Sequence, residues 1–170
     1  APLMSLPHLL KLARENNFHS QAYLSPDELS IAPIPAAKPD HKKVAFTWAS
    51  APHSEIQEKK SVPYSKFCKL FNTPNCTFYS VQVNADATAV ADMNQRSNVH
   101  NLGDSISDFA DTAGIISQTD LIISVDTATA HLAGALGKPV WTLLPYAADW
   151  RWSLHHTDTP SYPSMRLFRQ

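Results

Sequence analysis

At 170 residues and 44% hydrophobic, the chain is sized for one ordinary domain with a real core. Its formal net charge is −1 and no Lys/Arg cluster runs with interleaved aromatics, which argues against a nucleic-acid partner. The longest apolar runs fall far short of the roughly 20 residues a membrane span needs, so no transmembrane segment is expected.

The first 40 residues differ in character from the rest of the chain. Six of the 13 prolines fall here, and Pro52 lies just beyond. One helix is expected over Leu6–Glu15, then a linker through "APIPAAKPDHK". Residues 1–42 are therefore read as an irregular arm from a preceding domain, and 43–170 as the domain proper. "APLMSLPHLLKLARENN" has no basic region ahead of a long apolar core, so it makes a weak signal peptide. With Ala1 in place of an initiator Met, the chain is expected to be processed or cut from something longer.

From Lys43 a rhythm begins. "KVAFTWAS" is an apolar, β-branched and aromatic run, so a buried strand is expected. "PYSKFCKLFN" carries apolar side chains at helical spacing and is opened by Pro63. "CTFYSVQV" reads as the second strand, "ADATAVADMNQR" as a weak helix and "NVHNL" as a short third strand. "SDFADTAGIISQT" is a helix with Ser107 or Asp108 near its cap. "DLIISV" is the fourth strand. "TATAHLAGALG" is a helix ended by Gly137 and then Pro139. "PVWTLLP" is the fifth strand, and "SMRLFRQ" a sixth with no terminal helix after it.

This alternation predicts an α/β fold: a Rossmann-like parallel sheet with helices on both faces. Cys68 and Cys76 fall in an expected helix and strand. They form no CxxC or Cys/His ligand spacing, so no metal is expected, and reduced core thiols fit a cytoplasmic protein.

Ligands of open parallel sheets collect outside the carboxyl ends of the strands. Four such ends carry polar clusters here: "WASAPHSEIQEKKS", "SVQVNAD", "DTATAH" and "LPYAADWRW". In "DTATAH", the backbone N–H groups of Thr127, Ala128 and Thr129 would open a helix and favour a phosphate. Thr127 and His131 share a face at i and i+4. Asp126 would repel phosphate, so it must face a hydroxyl, a cation or backbone amides. The opposing reading makes Asp126 an ordinary N-cap of its own helix.

The first loop is long for a βα connection, which usually takes roughly 2–6 residues. His53, Lys59 and Lys60 are its candidate phosphate contacts, against a reading as solvated surface groups. Around Arg151, Trp150 and Trp152 offer stacking surfaces and the guanidinium offers an anion contact. The alternative there is a packing anchor with a salt bridge to Asp149. No GxSxG, P-loop or GxGxxG motif occurs, and the chain holds only four glycines.

"SVDTATAHLAGALGKPVWTLLPYAADWRW", together with "TPSYPSMRLFRQ" after it, resembles the carboxyl-terminal half of a bacterial glycosyltransferase-like domain. That domain is often fused behind tetratricopeptide repeats. It is related to the lipopolysaccharide heptosyltransferases and, more distantly, to protein O-GlcNAc transferase. The "VDT-x-x-AHLAGALGKP" run is matched from Val125 to Pro139 and "DWRW" at Asp149–Trp152. "DFADTA" at Asp108–Ala113 and "SVQ" at Gln82 also fit.

The resemblance implies the GT-B fold, with this chain as its donor half. It implies that Asp126, Thr127, Thr129 and His131 line the donor's diphosphate and sugar and that Lys60 contacts the same phosphates. With the residues singled out above, the candidate donor-binding set is Asp126, Thr127, Ala128, Thr129, His131, Lys60, His53, Ser50, Gln82, Trp150 and Arg151. No residue is assigned as the catalytic base. No cofactor or metal is implied; the nucleotide-diphosphate sugar is a substrate. The acceptor, glycan or protein, would meet an amino-terminal domain that should precede residue 1. Alone, this chain would bind a donor without turning it over.

Two positions depart from the family pattern. The family's "W-A-G-N-P-x-H" is "WASAPHS" here, with Ser50 for Gly and Ala51 for Asn. Its "SLQKG" is "SVQVN", so Val83 replaces a Lys. Three readings are open: the donor domain of an inverting, metal-independent glycosyltransferase; a non-catalytic GT-B-like scaffold module of a repeat protein; or a sugar-phosphate epimerase of the same architecture.

Overall fold

The computed structural model describes residues 21–26, 31–50 and 59–170. Its core is a six-stranded sheet: β1 Lys42–Thr47, β2 Cys76–Ser80, β3 Val99–Asn101, β4 Leu121–Val125, β5 Val140–Leu144 and β6 Met165–Arg169. The spatial order is β3-β2-β1-β4-β5-β6, and every neighbouring pair is parallel. The expected α/β Rossmann-like sheet is therefore what the chain forms. Among the described residues, α-helices connecting the strands include α1 Tyr64–Phe67, α2 Ala87–Asn94, α3 Phe109–Ser117 and α4 Ala128–Ala135. The helix expected over Leu6–Glu15 lies outside the described residues.

The strand side chains divide cleanly between two cores, as the period of two requires. On one face Val44, Phe46, Phe78 and Ile123 pack with Phe67 and Phe71, and with Ala89 and Met93 of α2. On the other, Ala45, Ile122, Val140 and Leu167 pack with Ile115 and Ile116 of α3 and Ala130 and Ala133 of α4. Helices thus switch faces between β1 and β4. That reversal is the crevice where doubly wound sheets bind ligands.

Several boundaries differ from expectation. β1 stops at Thr47, because Ala49 gives its N–H to the side chain of Gln82 (3.0 Å). β2 stops at Ser80, three residues short of the apolar run. The segment after Pro63 is only four residues of α-helix, then a tighter 3₁₀ turn over Cys68–Asn72. That turn carries Phe71 into the first core, where its ring lies 5.0 Å from Phe46. Both cysteines are free.

Residues 31–41 have no helix or strand but are stitched to the domain. Gln118 accepts from Ile34 N–H (3.2 Å) and donates to Ala32 O (2.9 Å), and Tyr79 Oη donates to Pro35 O (2.8 Å). Tyr23 and Leu24 give their N–H groups to Ala135 O at the end of α4. α4 closes as the sequence predicts: Gly137 takes φ 70°, and Lys138 N–H reaches back to Ala133 O (3.0 Å).

Candidate functional site

β4 is buried from Ile122 to Val125 and delivers Asp126, 4% exposed, to the switch point. The next residue, Thr127, is the N-cap of α4. The reading of Asp126 as that cap is thereby corrected. Thr127 itself caps nothing with its side chain; its hydroxyl shares a hydrogen bond with Ser124 Oγ (3.2 Å). By contrast, α2 and α3 are capped by Asp86 and Asp108, whose carboxylates accept first-turn N–H groups. The first-turn amides of any helix lack intrahelical acceptors. In α4 they also lack a side-chain cap.

Asp126 points elsewhere. Lys60 Nζ lies 2.7 Å from its Oδ2, and His131 Nε2 lies 3.9 Å from its Oδ1. The lysine contact is an ion pair without hydrogen-bond alignment, since Oδ2 is buried and accepts no hydrogen bond. Burial is what makes the partner necessary. A carboxylate out of water is costly unless a cation sits beside it.

His131 packs against two aromatic rings. Trp152, 1% exposed, stacks on its imidazole at 5.0 Å and 21°. Tyr162 meets it edge-on at 5.6 Å and brings its hydroxyl 3.1 Å from Nδ1. Burial, then Arg151, push the imidazole below its ordinary pKa; Asp126 opposes them and Lys60 adds to them. That shift favours the neutral ring.

A cleft of about 680 Å³ opens at the carboxyl ends of β1, β2 and β4. Ser50, Gln82, Thr127, Ala128 and Thr129 line it, together with Val83 and the exposed ring of Phe109. Gln82 spends its amide on the walls. Its Oε1 accepts from Thr47 Oγ1 (2.5 Å) and Ala49 N–H (3.0 Å), and its Nε2 donates to Val83 O (3.1 Å). Ser50 N–H donates to Ser61 Oγ (3.0 Å). Lys60 borders a second hollow of about 330 Å³, with Lys59, Lys66, Leu143, Phe168 and Arg169.

The candidates thus fall into two groups: five on the cleft wall, and Lys60 with His131 around Asp126. Trp150 and Arg151 line neither hollow. Trp150 is 57% exposed, and Arg151 Nε donates to Asp149 (2.9 Å), the salt-bridge alternative. Trp152 is a core residue against His131 rather than a stacking platform for a sugar. His53 lies outside the described residues. Sequence reasoning missed Tyr162 and Phe109; Tyr162 sits in "TPSYPSMRLFRQ", a stretch whose pattern carries no role for it. Among the described residues no three His, Cys, Asp or Glu side chains cluster to hold a metal ion, and no helix is long and apolar enough to cross a membrane.

Comparison with known proteins identifies relatives of this chain and of its fold. The model of "Glycosyltransferase family 9 (heptosyltransferase)" matches residues 52–156. Protein FlbA of Caulobacter vibrioides is 27% identical over 154 residues, covering 86% of this chain and 26% of that protein. The chain thus spans about a quarter of that curated relative. The structure of E. coli ADP-heptose lps heptosyltransferase II superposes with a TM-score of 0.57 at 16% identity, over 78% of this chain and 40% of that one. A family 9 glycosyl transferase from Veillonella parvula gives 0.56 at 15% identity, over 78% and 36%. At these identities the structural likeness is one of fold.

Proposed function

The chain belongs to glycosyltransferase family 9 (heptosyltransferase), and from that premise we propose that its cleft binds the diphosphate of a nucleotide-sugar donor. The observation that carries this reading is the uncapped start of α4, whose Ala128 and Thr129 line the cleft at the sheet's switch point. Its amides and dipole suit an anion.

Magnitudes support placing Lys60 at the same site. A unit charge about 4 Å from a carboxylate is repelled by about 4 kcal/mol at an effective dielectric near 20. A helix N-terminus returns typically ~0.3–1 kcal/mol, and at most ~2. An unpaired Asp126 would therefore defeat α4 as a phosphate site. With Lys60 at 2.7 Å the carboxylate is neutralised and the helix start can act. Asp126, its side chain 2% exposed, then serves to anchor Lys60 beside that helix start.

In this reading the leaving diphosphate is stabilised by amides, threonine hydroxyls and Lys60 rather than by a metal, in an inverting transfer. The acceptor and the general base would come from an amino-terminal domain of a longer cytoplasmic protein. Titration of the chain with UDP, ADP and GDP, followed by amide shifts, tests the proposal. Shifts at 127–131 are expected. Their absence at millimolar nucleotide sinks it.

One observation favours a second reading, a non-catalytic scaffold module. Gln82 already engages both ends of its amide internally, and Lys60 is engaged by Asp126. Such a module would show no nucleotide response at all.

A further inference from the structure

Tyr162 stands behind His131 and plays no part in the proposed donor contacts. It comes from the turn leading into β6, where its N–H bonds Thr159 O. Its ring can lie on α4 only because residue 134 is glycine. A Cβ on Gly134 would sit 2.5 Å from Tyr162 Cγ and 2.6 Å from Cδ1. Three residues earlier on the same helix face is His131, whose Nδ1 lies 3.1 Å from the tyrosine hydroxyl.

A neutral imidazole carries its proton on one nitrogen, and the partner of the other nitrogen selects which. Nε2 lies 3.9 Å from the buried carboxylate of Asp126. A lone pair there would face an anion, whereas an N–H there faces it favourably. Nδ1 must then accept, and the Tyr162 hydroxyl is the donor within reach.

We propose that Tyr162 is a positioning residue that holds His131 as the Nε2–H tautomer, a neutral donor directed at Asp126 and at a phosphate bound beside it. The phosphate clause rests on the donor-binding reading; the tautomer does not.

The test is a long-range ¹H–¹⁵N spectrum of ring-labelled histidines in the full chain at pH 7.5. Wild-type His131 should show a protonated Nε2 and a hydrogen-bonded Nδ1. In Tyr162→Phe, Nδ1 should lose its hydrogen-bond shift and the two tautomers should mix. Gly134→Ala, which displaces the tyrosine ring, should move the spectrum the same way. Protonation on Nδ1 in the wild type, or an unchanged spectrum in Tyr162→Phe, overturns the assignment. The wild-type spectrum decides alone if Tyr162→Phe does not fold. Titration of the same samples with UDP, ADP and GDP should show Tyr162→Phe binding about three- to tenfold more weakly, the worth of one hydrogen bond. Equal affinities remove the phosphate clause. A tautomer change without any nucleotide binding upholds the positioning role and defeats the donor reading instead.

Discussion

Lys60 Nζ reaches Asp126 Oδ2 at 2.7 Å, joining the connection after β1 to the end of β4. The pair is unequal, with the carboxylate side chain 2% exposed and the ammonium side chain 21%. Lys60→Ala therefore strands a buried charge, and is expected to cost about 2–4 kcal/mol of stability. Asp126→Asn should cost less, because the freed lysine can turn into water. Adding Asp126→Asn to Lys60→Ala should recover part of the loss. A urea-unfolding cycle measures this; strictly additive losses would mean that the two charges are not coupled.

Thr127 gives a cleaner probe of the cleft, because its side chain does not hold the helix. Asp86 accepts from Ala89 N–H, and Asp108 from Ala110 and Asp111 N–H, so Asp86→Ala and Asp108→Ala should each cost ~1 kcal/mol. Thr127→Ala should cost less than either, while weakening nucleotide binding. Denaturation midpoints of the three variants give the ranking. A Thr127→Ala loss equal to the aspartate losses would show that its hydroxyl caps α4 after all.

Local signals made much of this legible. Leu121–Val125 is an apolar run between Asp120 and Asp126, and it is a buried strand. Gly137 was readable as a helix end because only a left-handed residue closes α4 there. What stayed hidden depends on contacts distant in sequence. The cap of α4 is Thr127, while Asp126 pairs with Lys60 from the connection after β1. The apolar run of β1 overshoots because a glutamine after β2 captures Ala49. A glycine inside "HLAGALG" announces a close approach, but not that a tyrosine from the far side of β5 makes it.

Gly134 should accordingly show a reversal of sign. Alanine is favoured over glycine in a helix by roughly 0.8–1 kcal/mol. Here the added Cβ meets Tyr162 backed by a packed turn, and overpacking typically costs ~1–3 kcal/mol. Gly134→Ala is expected to destabilise the wild type. In a Tyr162→Ala background the clash is gone and the same substitution should stabilise. Thermal unfolding of the four proteins tests it; the same sign in both backgrounds would separate Gly134 from Tyr162.

The pH dependence should start at histidines before carboxylates. Burial lowers the pKa of His100, and burial together with Arg151 lowers that of His131, from an ordinary 6.5. Above 6.5 both are neutral in folded and unfolded chains and contribute no slope. Below it the unfolded chain binds protons first, so stability falls as the pH drops. The carboxylates act later. Asp86 is held down by the Ala89 N–H and Asp92 by Arg96, so their contributions persist above 3.8 and are lost below it. Urea midpoints should therefore begin to decline as the pH falls below 6.5, ahead of the steeper acid loss. His100→Gln combined with His131→Gln should flatten that first decline and leave the acid limb in place. A first decline that survives both substitutions would assign it to other groups.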